Sequence, residues 1–129
     1  MKGSCLCGAV TITAPDLNEI AACHCGMCRR WGGGPFMTLH AGPDVTVSGP
    51  VKAYRSSDWA ERAFCPECGT HLYYHLLPVN DYILSAGLFP ESSSFLFKRQ
   101  IFVDQKPGNY EFANDTEQLT EAQVFAQFS

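Results

Sequence analysis

The sequence holds no apolar run approaching the roughly 20 residues needed to cross a bilayer, because Gly, Pro or a charged residue interrupts every hydrophobic stretch. A membrane role is therefore not expected. It has no basic excess either: 9 Lys plus Arg stand against 13 Asp plus Glu, for a formal charge of -4. Nothing is left over to neutralise phosphates, so nucleic acid is not expected as a partner. No internal repeat, low-complexity tract or linker-like stretch divides the 129 residues, which predicts a single domain over 1–129. The opening Met1-Lys2-Gly3-Ser4 carries no apolar core or small-residue cleavage site, so no secretory leader is expected and the cytoplasm is the predicted location. Nothing in the sequence speaks to oligomeric state.

What is present is a series of strand signals. Gly8–Thr13, Asp44–Ser48, Arg62–Phe64, Thr70–His75, Asp81–Ser85 and Phe97–Val103 are short, rich in β-branched or aromatic residues, and bounded by turn formers. With 11 Gly and 8 Pro as punctuation, they predict a mainly β fold. One short C-terminal helix is expected. Thr120 as N-cap with Gln123 three residues on makes a capping box, and Leu119 with Val124 fits a hydrophobic staple.

Cysteine is the outlier. Seven residues fall into three tight groups, Cys5-Leu6-Cys7, Cys23-His24-Cys25-Gly26-Met27-Cys28 and Cys65-Pro66-Glu67-Cys68. An odd count cannot close into internal disulfides, and in a reducing compartment such spacing points to metal ligands. Two thiolates three positions apart on a tight turn reach one ion, and Gly69 suits the turn's exit. A structural zinc site takes four protein ligands, while a reactive one keeps three and an open position. Seven divides as four plus three, with Cys23, Cys25 and Cys28 as the open group. Spacing alone leaves other partitions open: His24 could be a ligand, and Cys5 and Cys7 could join the central group. A thioredoxin-like redox role for either CxxC is disfavoured, because no βαβ pattern surrounds it. Two purely structural zinc sites in a non-enzymatic protein-interaction module form the alternative functional reading.

In combination, the segments Gly3-Ser4-Cys5-Leu6-Cys7-Gly8-Ala9-Val10, Cys23–Arg30 and Arg62–Thr70 resemble the glutathione-dependent formaldehyde-activating enzyme family. That resemblance implies several coiled, mostly antiparallel β-sheets. It implies a structural zinc on Cys5, Cys7, Cys65 and Cys68, and a second, more labile zinc at the reactive centre on Cys23, Cys25 and Cys28. The implied activity is that of a carbon-sulfur lyase, the reversible addition of formaldehyde to glutathione to give S-(hydroxymethyl)glutathione, with the substrate thiolate held at the three-cysteine zinc.

Seven ionised thiols subtract seven charges and two zinc ions add four, taking the formal charge from -4 to -7. An anionic thiol such as glutathione then needs a cation near the site. Arg29 and Arg30, immediately after Cys28, are the candidates, since a guanidinium pairs a carboxylate bidentately. His24 could shuttle a proton or point to solvent, whereas His40, His71 and His75 read as structural. Gly32-Gly33-Gly34 lacks the Lys-Ser/Thr of a phosphate loop and is expected to let backbone pass close to a metal or ligand.

Overall fold

The computed structural model describes residues 1–127. Along the chain run β1 (Lys2–Ser4), β2 (Thr11–Thr13), β3 (Glu19–Cys23), helix α1 (Gly26–Gly32), β4 (Phe36–Gly42), β5 (Thr46–Ser48), β6 (Lys52–Arg55), β7 (Ala60–Phe64), β8 (His71–Leu76), β9 (Asp81–Ser85), β10 (Leu96–Ile101), β11 (Glu117–Leu119) and helix α2 (Glu121–Ala126). The mainly β expectation and the short C-terminal helix are both borne out. No helix among the described residues is long and apolar enough to cross a membrane.

The chain packs as two compact units. The first comprises Met1–Asn18 and Leu39–Phe95. In it, β1, β2 and β5 form an antiparallel sheet in which Ile12 lies opposite Gly3 and Val47. Thr11-Ile12-Thr13 alternates as a half-buried strand should, with Ile12 wholly inside. The strands β6 to β9 form an antiparallel meander, joined through Ala53 opposite Ala63, Ala63 opposite Tyr73 and Tyr73 opposite Leu84. Val10, Ile12, Leu39, Leu72, Leu84 and Phe89 are buried in this unit, and each contributes roughly 1.5–3 kcal/mol of apolar transfer. Gly49 is required where it stands: its φ is +109°, and a Cβ there would sit 2.1 Å from the Ala9 carbonyl oxygen.

The second unit comprises Glu19–Thr38 and the residues from Leu96 onward. The strand β3 pairs antiparallel with the start of β4 and parallel with β10, which in turn pairs parallel with β11. Pairing in this unit is therefore mixed, within a fold whose strand pairs are mostly antiparallel, as the family resemblance implied. Parallel neighbours need a crossover, and residues 24–95 make the connection between β3 and β10. The capping box on α2 forms as expected: Gln123 N–H donates to Thr120 Oγ1, and Thr120 N–H donates to Gln123 Oε1. Helix α1 was not expected. Its seven residues begin and end in Gly, and it is held by its caps rather than by an apolar stripe.

Candidate functional site

The first unit gathers Cys5, Cys7, Cys65 and Cys68. Both turns fold back on themselves in the same way. Cys5 N–H donates to Val10 O and Gly8 N–H to Cys5 O; Cys65 N–H donates to Thr70 O and Gly69 N–H to Cys65 O. Gly8 and Gly69 leave these turns at φ +82° and +77°, a region that glycine enters without strain. The four sulfurs lie within 4.8 Å of one another, with Cys5 to Cys7 at 3.6 Å and Cys7 to Cys65 at 3.8 Å. Zinc–sulfur bonds of about 2.3 Å in a tetrahedron put sulfurs about 3.8 Å apart, so the set fits a single zinc. Thr70 braces it, accepting the Leu6 N–H at 3.1 Å and standing 3.1 Å from Cys68 Sγ. That hydroxyl, with the Thr70 and Cys7 backbone amides, holds the Cys68 thiol down at about 5. Cys7 moves the other way. The Ala9 N–H favours its thiolate, but burial and the adjoining thiols push it up to about 12.

The second unit gathers Cys23, Cys25 and Cys28. Cys23 ends β3; Cys25 is the N-cap of α1, with its sulfur accepting the Cys28 N–H at 3.4 Å; Cys28 lies inside the helix's first turn. Their sulfurs also lie within 4.8 Å of one another. Cys23 is held far above the ordinary thiol range, first by its hydrogen bonds to Cys25 and Cys28 and then by burial. Three thiolates cannot share this pocket unaided, and a divalent cation is the charge that inverts the preference. All-sulfur donors suit zinc, and three of them leave one coordination position to a further ligand.

Along α1, the helix that carries Cys28, opens a cleft of about 690 Å³, with Gly26, Arg29, Arg30, Gly33, Asn109 and Tyr110 among its walls. Both arginines named by sequence are there, but they differ in freedom. Arg29 Nε donates to the His24 carbonyl at 3.0 Å, whereas Arg30 is exposed. Gly33 caps α1 at φ +85°, its N–H donating to Arg29 O, so the glycine run turns the chain along the cleft wall. A hollow of about 580 Å³ adjoins the four-cysteine group, with Cys5, Leu6, Thr70 and His71 in its wall. No Lys or Arg lines this hollow, whereas Arg29 and Arg30 line the other cleft.

His24 is neither a ligand nor a solvent-facing residue. It is fully buried, with Nδ1 2.7 Å from the Tyr110 hydroxyl and Nε2 2.9 Å from Gln100 Oε1. The start of α1 is braced as well: Gly26 N–H donates to Gln105 Oε1, and Gln105 Nε2 donates to Glu121 Oε2 on α2. His40 and His75 have structural partners as expected, Asp81 and Asn80. Sequence reasoning missed Gln100, Gln105 and Tyr110, which lie 76 to 86 positions from the residues they touch and carry no local signal. Cys25-Gly26-Met27-Cys28 does open a helix after a strand, contrary to expectation. The next strand, β4, returns antiparallel, so the setting is still not a βαβ unit.

The model of the family described as glutathione-dependent formaldehyde-activating enzyme matches residues 1–105, a stretch that includes all seven cysteines and both arginines. The chain belongs to this family. It is 38% identical over 127 residues to an uncharacterized lyase of Schizosaccharomyces pombe, covering 95% of this chain and 93% of that one. It is also similar to the crystal structure of a Rhodobacter sphaeroides protein, at 25% identity and a TM-score of 0.61, covering 75% of this chain and 98% of that one. For a member of the formaldehyde-activating family, the two cysteine groups and the cationic cleft are the places to look for chemistry.

Proposed function

We propose that this chain is a zinc-dependent carbon-sulfur lyase that adds formaldehyde, or a related aldehyde, reversibly to glutathione or another small thiol. The observation that carries this reading is the convergence of Cys23, Cys25 and Cys28 within 4.8 Å at the start of the helix whose Arg29 and Arg30 line a cleft. Cys5, Cys7, Cys65 and Cys68 hold the structural zinc in this account, and the three-cysteine group holds a second, more labile one. Family membership and the lyase relative support the reaction class. The reducing cytoplasm suits it, since every candidate ligand must stay a thiol.

Zinc, when bound at the three-cysteine group, favours the thiolate form of a substrate thiol that takes its open position. The chain's own residues supply placement. The Arg30 guanidinium pairs a substrate carboxylate, and Arg29, tied to His24, lends positive charge along the same wall. In the addition, the sulfur–carbon bond forms as the carbonyl π bond breaks, and the thiol proton ends on the new hydroxyl oxygen. Holding sulfur and carbonyl carbon together converts a bimolecular encounter into an intramolecular one. Metal analysis tests the assignment of sites. The zinc-loaded protein is expected to carry two equivalents, and Cys25→Ser one; two equivalents in Cys25→Ser would contradict it.

A further inference from the structure

A buried chain of hydrogen bonds runs from β10 to the wall of the cleft. Gln100 Nε2 donates to Thr116 Oγ1 at 2.9 Å, which turns Gln100 Oε1 toward His24 Nε2. With Gln100 Oε1 as the acceptor, Nε2 donates, and in the neutral ring Nδ1 then accepts from the Tyr110 hydroxyl over 2.7 Å. The main chain of His24 is committed too: its N–H donates to Ile101 O, and its carbonyl accepts from Arg29. Tyr110 is itself held in place. Lys106 Nζ donates to the carbonyls of Pro107 and Tyr110 and lies 4.8 Å from the centre of the Tyr110 ring.

The consequence lies in the sequence position of His24, between Cys23 and Cys25. A residue fully enclosed, with both ring nitrogens and both main-chain polar groups engaged, leaves its two neighbours little freedom to change their spacing. We propose that Tyr110 is a positioning residue for the three-cysteine group: by donating to His24 Nδ1 it fixes the separation and direction of Cys23 and Cys25, and so sets how tightly that group keeps its metal. The same phenol stands in the cleft wall, so it links the substrate's side of the site to the metal's side. This rests on the reading of Cys23, Cys25 and Cys28 as metal ligands.

Tyr110→Phe removes one oxygen and keeps the ring, leaving the buried Nδ1 without its donor. In protein loaded with two zinc equivalents, one equivalent is expected to pass to a chelator about 10-fold faster than in the parent protein, with the other unchanged. With cobalt(II) in place of zinc, the visible d–d bands of the faster-released ion are expected to shift, which a general loss of stability would not produce. Equal release rates, or both equivalents accelerated together with an unchanged cobalt spectrum, would overturn the role of Tyr110 while leaving the metal sites standing. A parent protein that takes up a single equivalent would overturn the metal reading and this proposal together.

Discussion

Thr70 Oγ1 lies 3.1 Å from Cys68 Sγ and accepts the Leu6 N–H at the same distance, so one side chain joins the two cysteine turns that sequence separates by more than fifty residues. Its hydroxyl favours the Cys68 thiolate, the form that binds metal.

Thr70→Val should therefore loosen the four-cysteine site. Partners at this remove from a metal ligand are worth about 10-fold or more in affinity, so chelator competition should show at least that loss. Thr70→Ser should retain the affinity. Equal metal retention in all three proteins would remove Thr70 from the site.

Arg29 and Arg30 should separate by assay. Arg30→Ala should weaken glutathione binding about 5-fold, a modest figure because the guanidinium is exposed and screened, with zinc content unchanged. Arg29→Ala also frees the His24 carbonyl, so it should weaken zinc retention in the three-cysteine group as well. Titration calorimetry with metal analysis distinguishes the two; identical behaviour would contradict the division.

His71 gives a pH dependence. Burial first, and Arg62 second, hold its pKa below the ordinary 6.5, so the folded state prefers the neutral ring. Unfolding then takes up a proton below that pH. The contribution is fully present above pH 6.5 and is lost as pH falls below it. His71→Gln should flatten the fall in thermal midpoint between pH 6.5 and 5 relative to the parent protein, and parallel curves would contradict the assignment.

Gly49→Ala tests the packing of the first unit. The added methyl would meet the Ala9 carbonyl at a φ that side chains rarely adopt, which should cost about 3 kcal/mol or more in denaturant unfolding. A loss under about 1 kcal/mol would show that the turn relaxes.

How far this structure is legible in sequence depends on how locally each element is specified. The strand over 81–85 and the cap of α2 were readable because a short aromatic and β-branched run and the Thr120 and Gln123 pair act within a few residues. Glu19–Cys23 carries two alanines and little alternation, and Lys52–Arg55 is exposed at all four positions, so neither β3 nor β6 announces itself. Helix α1 depends on the Cys25 cap and on Gly33 rather than on propensity. The seven candidate ligands were legible because metal spacing is a local code. What positions them was not: Tyr110 is 86 residues from His24, and only the folded chain brings them together.

The most direct test of the account is two-dimensional exchange NMR on an equilibrium mixture of glutathione and formaldehyde. The uncatalysed adduct also forms, so the rate of interconversion is the quantity to compare rather than the appearance of product. The account predicts that zinc-loaded protein speeds exchange between free and hydroxymethylated thiol, and that Cys25→Ser abolishes the acceleration. Exchange at the buffer rate in the presence of protein carrying two zinc equivalents would contradict it.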